Sequence, residues 1–221
     1  MINISDEDRR AIEEDLKKHM KGGIHILYYG GGGECPYCED TLEIVKLLAS
    51  LTDKIHVDII EDEEHPLYKK YTPKYAPAII LLEEDMTDTG IRFYGIPAGY
   101  EFESLMDAVI NVSKGVDDVP EELEERIKRL KKKYILSVFI TPTCPYCPIS
   151  VKIAHRLAYI NRNITGEMIE AIEFPELAQK FEVMGVPKTV IFHDGDHQSF
   201  VGAYPIEEVV NFLEAIERGP D

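Results

Sequence analysis

The four cysteines of the 221-residue chain stand in two copies of one tetrapeptide, C-P-Y-C, at 35–38 and 144–147. Cysteines three apart on a helix share a face, so their sulfurs can bond. Where such a pair enters a helix from a strand, unsatisfied N–H groups and the positive dipole end favour the thiolate of the first cysteine. Proline between them suits a first helical turn, where its missing N–H is not needed. The thiolate can attack a substrate disulfide, and the second thiol resolves the mixed disulfide that forms. Cys35 and Cys144 are therefore expected as exposed nucleophiles, with Cys38 and Cys147 as the more buried resolving partners. Zinc binding and structural bridging are the competing uses. Zinc sites built from two C-x2-C pairs usually keep them about 15–20 residues apart; here 105 residues intervene. A bridge closing so short a ring constrains the unfolded chain little.

Elements able to position these pairs recur in order, so the chain reads as an internal repeat. Cys35 and Cys144 differ by 109 positions, Pro77 and Pro187 by 110, Gly95 and Gly202 by 107. Each copy opens on a helix that runs from acidic to basic, SDEDRRAIEEDLKKHM and PEELEERIKRLKKK, matching the macrodipole. An apolar strand follows, IHILYYG or YILSVFI, then C-P-Y-C and an amphipathic helix. A second strand (KIHVDII, EMIEAI) makes a βαβ unit. A short helix, the proline, two more strands and a closing helix complete the copy. The expected class is α/β: two tandem domains, 1–115 and 116–221, each a mixed central sheet flanked by helices, with the boundary in SKGVDDVPEE.

Composition narrows the surroundings. A net charge of −17 argues against a nucleic-acid surface, which needs clustered Lys and Arg. The charged start MINISDEDRRAIEEDL does not read as a signal peptide, and no apolar run is long enough to span a membrane. A cytoplasmic location is expected, where a C-x-x-C pair is more often redox-active or metal-binding than structural. The absence of Trp, the two Gln and the abundance of Glu, Lys and Ile suit a heat-adapted protein.

A strand, C-P-Y-C at a helix start and a proline opening a later strand resemble the thioredoxin/glutaredoxin superfamily, and Pro-Tyr is the glutaredoxin dipeptide. Two such units, each keeping its own pair, resemble the protein disulfide oxidoreductases of hyperthermophilic archaea and bacteria over residues 5 to 216. The resemblance implies thioredoxin folds and dithiol oxidation, disulfide reduction and isomerisation on protein substrates. It implies no cofactor beyond the redox disulfides Cys35–Cys38 and Cys144–Cys147, no metal, and a thioredoxin-reductase-like flavoprotein as electron donor. It further implies that Ala76–Pro77 and Val186–Pro187 are cis bonds beside the sulfurs, where the backbone can pair with a substrate strand. A redox-silent peptide-binding or chaperone-like module using the same grooves is the alternative, and a zinc-binding structural protein the third.

The flanks of the two sites differ. GGGGE precedes Cys35 and TPT precedes Cys144. Glu34 is expected to oppose thiolate formation at Cys35, leaving Cys144 the more easily activated sulfur. The glycine run lacks the spacing of a phosphate loop. Thioredoxins keep a buried acid on the strand leading to the pair, but the region of Tyr29 and Val138 holds none. Asp58 and Glu170, on the neighbouring strands, are the candidates for proton transfer, or else they face solvent.

Overall fold

A computed structural model describes residues 4–31 and 35–219. The first half runs α1 (Asp6–His19), β1 (Ile24–Tyr29), α2 (Cys38–Leu51), β2 (Ile55–Ile60), α3 (Pro66–Tyr71), β3 (Ala78–Glu83), β4 (Asp88–Tyr94) and α4 (Glu101–Lys114). The second half repeats that order as α5 (Glu121–Lys128), β5 (Tyr134–Ile140), α6 (Cys147–Ile160), β6 (Ile164–Glu170), α7 (Pro175–Lys180), β7 (Lys188–His193), β8 (Asp196–Val201) and α8 (Ile206–Arg218). Local chemistry sets the ends of these elements. Ser5 caps α1 by accepting the Asp8 N–H at 3.0 Å, with acids in the first turn and Lys17, Lys18 and His19 in the last.

All eight strands form one mixed sheet in the order β2-β1-β3-β4-β6-β5-β7-β8. Within each half the βαβ pair is parallel and the last two strands add antiparallel. The halves meet where β4 lies parallel to β6, from Ile91↔Gly166 to Tyr94↔Ile169. One face packs under the long helices α1, α2, α4, α6 and α8 and the shorter α5, through residues such as Ile26, Val45, Leu105, Val151, Met168 and Leu213. The other face carries Leu27, Tyr29, Tyr94, Phe139 and Ile169 beneath the short helices α3 and α7. Among the described residues no helix is long and apolar enough to cross a membrane.

Side chains lock the join between halves. Lys74 Nζ reaches Glu167 Oε1 at 2.5 Å, and Ser137 Oγ donates to the other Glu167 oxygen at 2.7 Å. Arg156 on α6 forks onto Asp107 of α4, each contact 3.0 Å, and also onto Asp118. The planar guanidinium suits such bidentate pairing. Strand β6 can approach α6 closely because residue 166 is glycine: a Cβ there would run into the backbone of Ala154 and His155. Gly166→Ala should therefore lower the unfolding free energy by about 1–3 kcal/mol, the usual range for overpacking. Urea denaturation checks this; an unchanged midpoint and slope would show that the helix moves away without cost.

Candidate functional site

Both cysteine pairs lie at strand-to-helix turns on the long-helix side of the sheet. Each is closed as a disulfide, with Cα atoms 5.4 Å apart at Cys35–Cys38 and 5.5 Å apart at Cys144–Cys147. The helices begin at the second cysteine of each pair, with Tyr37 and Tyr146 as N-caps. The first cysteine thus sits just ahead of the helix rather than in it, facing the free N–H groups of the first turn.

Exposure departs from the sequence expectation. Cys35 and Cys38 are both half-buried. Cys144 is only 9% exposed and Cys147 fully buried, so Cys144 is not the exposed nucleophile expected from the sequence. The whole start of α6 is buried with it, at Pro148, Ser150 and Val151, whereas α2 begins with Glu39 and Asp40. At the second site Cys144 Sγ lies 3.9 Å from the Val186 carbonyl oxygen. At the first, Cys38 Sγ lies 2.9 Å from the Gly30 carbonyl oxygen, and the Tyr28 hydroxyl donates to the Cys38 carbonyl at 2.6 Å. Burial, and then the charge of Glu39, push the Tyr28 phenol up to about 12, so it stays a donor at physiological pH.

The peptide bonds Ala76–Pro77 and Val186–Pro187 are both cis. The carbonyls of Pro77 and Pro187 accept the N–H groups of Gly95 and Gly202 at 3.0 and 2.8 Å, matching the third landmark of the repeat. Gly31, at φ +68°, passes so close to Ala76 that a Cβ would stand 2.8 Å from that methyl. Ala76 and the turn before Cys35 are therefore adjacent, as Val186 and Cys144 are. The expectation for Glu34 falls outside the described residues. Among the described residues no group of three or more His, Cys, Asp or Glu is placed to hold a metal ion.

Known proteins with these features make the comparison direct. A thioredoxin-domain family model matches residues 135–214. The protein disulfide oxidoreductase of Aeropyrum pernix superposes with a TM-score of 0.86 at 27% identity, covering 99% of this chain and 96% of that one. The alkyl hydroperoxide reductase component AhpF of Enterococcus faecalis gives 0.86 at 28% identity, over 95% of this chain and 99% of that one. The chain is built of tandem thioredoxin-like domains, each with its own C-x-x-C disulfide.

Among curated relatives, the corresponding alkyl hydroperoxide reductase component of Staphylococcus aureus is 35% identical over 83% of this chain and 32% of its own length. An NADH dehydrogenase of Bacillus subtilis is 29% identical over 84% of this chain and 33% of its own. The chain thus spans about a third of the length of the curated relatives it matches.

The strand acids of the two halves divide by face. Asp58 lies on the α3 face of the sheet, bound to His25 Nδ1 at 2.8 Å and partly exposed, whereas α2 and Cys38 belong to the opposite face. The structure does not bring Asp58 to the sulfurs. Glu170 has the strand parity of Ile164 and Met168 and so lies on the α6 face; it is 2% exposed. One of its oxygens accepts the Glu173 N–H at 2.6 Å, the other has no partner among the described residues, and burial raises its pKa.

Two further acids escaped the sequence reading. Glu173 Oε1 accepts the Ile96 N–H across the join at 2.5 Å, and burial together with the nearby Glu170 pushes it up to about 7. Gly95 permits this approach, since a Cβ there would stand 2.7 Å from that oxygen. Glu101 is fully buried at the start of α4, beside the Tyr100 N–H that donates to the Pro142 carbonyl at 3.1 Å. Among the described residues neither Glu101 oxygen has a partner in hydrogen-bond geometry. Burial pushes it up to about 7, with Ser104 and the Lys152 charge only softening the effect. Nothing in the sequence around either residue marks it, because each depends on a contact between halves.

A raised carboxyl has a definite sign in stability. Near pH 4.5 and below, folded and unfolded chains both hold the proton at Glu101 and burial costs little. Between about 4.5 and 7 the unfolded chain releases it first, so stability falls, and above 7 the whole cost stands. Glu101→Gln should therefore raise the melting temperature at pH 8, by an effect on the order of 3 kcal/mol for a shift of this size, with the gain shrinking towards pH 5. Thermal melts at both pH values test it; an equal gain at the two would remove proton linkage as the cause.

Proposed function

We propose that each cysteine pair passes two electrons to a protein disulfide, and that a flavoprotein dithiol restores the pair. The observation that carries this reading is the position of Cys144 Sγ, 3.9 Å from the Val186 carbonyl and just ahead of a helix N-terminus. A substrate strand pairing with the Val186 backbone would present its disulfide to that sulfur. The Cys144 thiolate attacks one substrate sulfur and releases the other as a thiolate. The Cys147 thiolate then attacks Cys144 Sγ, closing the Cys144–Cys147 disulfide and releasing the second substrate thiol. The substrate gains two electrons and the pair loses two. Cys35, Cys38 and the Ala76–Pro77 segment play the same parts in the first unit, 1–115, as Cys144, Cys147 and Val186–Pro187 do in the second, 116–221. Glu170 and Glu101, on the α6 side, are the groups suited to take the proton of the resolving thiol; Asp58 stands too far round the sheet for its own unit. Cytoplasmic operation fits substrate-facing rather than structural disulfides.

The longer relatives, an NADH dehydrogenase and an alkyl hydroperoxide reductase component, support a flavoprotein as electron donor, because flavins carry out hydride transfer with nicotinamides. The two sites differ in thiolate support. Helix α2 begins with Glu39 and Asp40, which offset its dipole, and α6 has no acid in its first turn. The helix dipole at α6 therefore supports the Cys144 thiolate more than that at α2 supports Cys35. In a protein-disulfide reduction assay with excess dithiothreitol, Cys144→Ser should lower turnover by two orders of magnitude or more, and Cys35→Ser by less. Rates of iodoacetamide alkylation against pH, on variants keeping one pair, give the thiol pKa values. A lower value at Cys35 than at Cys144 would reverse the assignment, and intact turnover in the doubly substituted protein would remove the mechanism.

A further inference from the structure

A groove of about 800 Å³ opens between α1, the start of α2, the β4–α4 segment and the second half of the chain. Its walls are Ile12, Ile44, Phe102 and Ile172. Tyr37, inside the first C-P-Y-C, lines it together with Pro142, two residues before Cys144. The groove therefore runs from the first C-P-Y-C to the turn that leads into the second, and residues of both halves line it.

Three observations say what fills it. Its lining is mostly apolar, and Ile172 and Tyr37 stand out at 68% and 42% exposure, an arrangement that leaves apolar surface in water unless something covers it. Glu170, buried at 2% exposure, lines the groove and keeps one carboxyl oxygen without a partner among the described residues. A buried polar atom in that state calls for a hydrogen-bonding guest. Asp8 and Asp40 also border the groove, so negative charge in the guest is disfavoured and Lys or Arg beside its apolar part is favoured.

We propose that this groove binds an extended, apolar polypeptide segment with basic flanks, contributed by the protein substrate, whose backbone hydrogen-bonds to Glu170. The proposal rests on the oxidoreductase reading for the identity of the substrate, and adds to it the part of that substrate the enzyme grips. An extended segment advances about 3.3 Å per residue, so a few residues in the groove place a neighbouring disulfide at either cysteine pair. A carboxyl serves such a strand in either protonation state, donating to a peptide C=O or accepting from a peptide N–H.

Two peptides of equal length, each with one internal disulfide, separate this from unspecific reduction. One carries Leu, Val and Phe with Lys flanks; the other carries Gly and Ser with Glu flanks. The wild-type protein should show at least a tenfold lower KM for the first. Ile172→Asp on the exposed wall, and Ala11→Trp at the α1 rim, should each raise that KM tenfold or more. Both should leave reduction of the small neutral hydroxyethyl disulfide unchanged. Equal KM values for the two peptides, or no response to either substitution, would overturn the groove while hydroxyethyl disulfide turnover leaves the redox reading standing. Binding of the apolar peptide with Ser in place of its cysteines, followed by fluorescence anisotropy, tests the groove without any redox chemistry. Saturable binding weakened by both substitutions supports it, and absence of binding by the wild-type protein overturns it even if the protein proved redox-silent.

Discussion

The parallel pairing of β4 with β6 is the constraint on which the rest of the molecule depends. Two four-stranded units could each fold around their own cysteines, but four paired positions from Ile91 to Tyr94 turn them into one eight-stranded sheet. That junction buries two strands that would otherwise be sheet edges, leaving β2 and β8 as the outer ones. It also sets α4 against α6, and it is there that Arg156, Asp107 and Asp118 meet. Because cores are close-packed, such a join transmits displacement rather than absorbing it.

The second site is built partly from the first half. Glu173 holds the Ile96 N–H, and four residues later the Tyr100 N–H is held by Pro142, two positions before Cys144. The β4–α4 segment is thus fastened at both ends to the half that carries the more buried cysteine pair. Three carboxyls with raised pKa values, Glu101, Glu170 and Glu173, collect around that segment. Buried acids of this kind cost stability at neutral pH. At the first site the helix start instead carries Glu39 and Asp40, and the acid on the neighbouring strand, Asp58, faces away from the sulfurs.

Much of this was legible in the sequence because the repeat wrote it twice. The paired C-P-Y-C motifs, the paired prolines and the paired glycines at 95 and 202 each mark a local backbone requirement, and local requirements leave local signatures. The thioredoxin-like element order followed from them. What lay outside reach depends on contacts between distant residues. The sheet join gives no periodic signal, because β4 and β6 read as ordinary buried strands whichever neighbour they take. The burial of Cys144 and of Glu101 emerges only when the helices pack on the sheet and the two halves meet. Strand register separates Glu170 from Asp58, which the sequence had offered as equals. Asp58 stands beside Leu27 on the α3 side, whereas Glu170 stands beside Ile140 on the α6 side.

Two redox pairs in one protein make a direct demand on stoichiometry. The full chain, equilibrated in a series of dithiothreitol buffers and trapped with an alkylating reagent, can be weighed by mass spectrometry. Species carrying no, two and four alkyl groups should appear in turn, with odd numbers negligible, and circular dichroism should stay native throughout. Thiols that open only as the fold is lost, or a pair that never reduces, would contradict a redox role for the cysteines and return them to structural bridges.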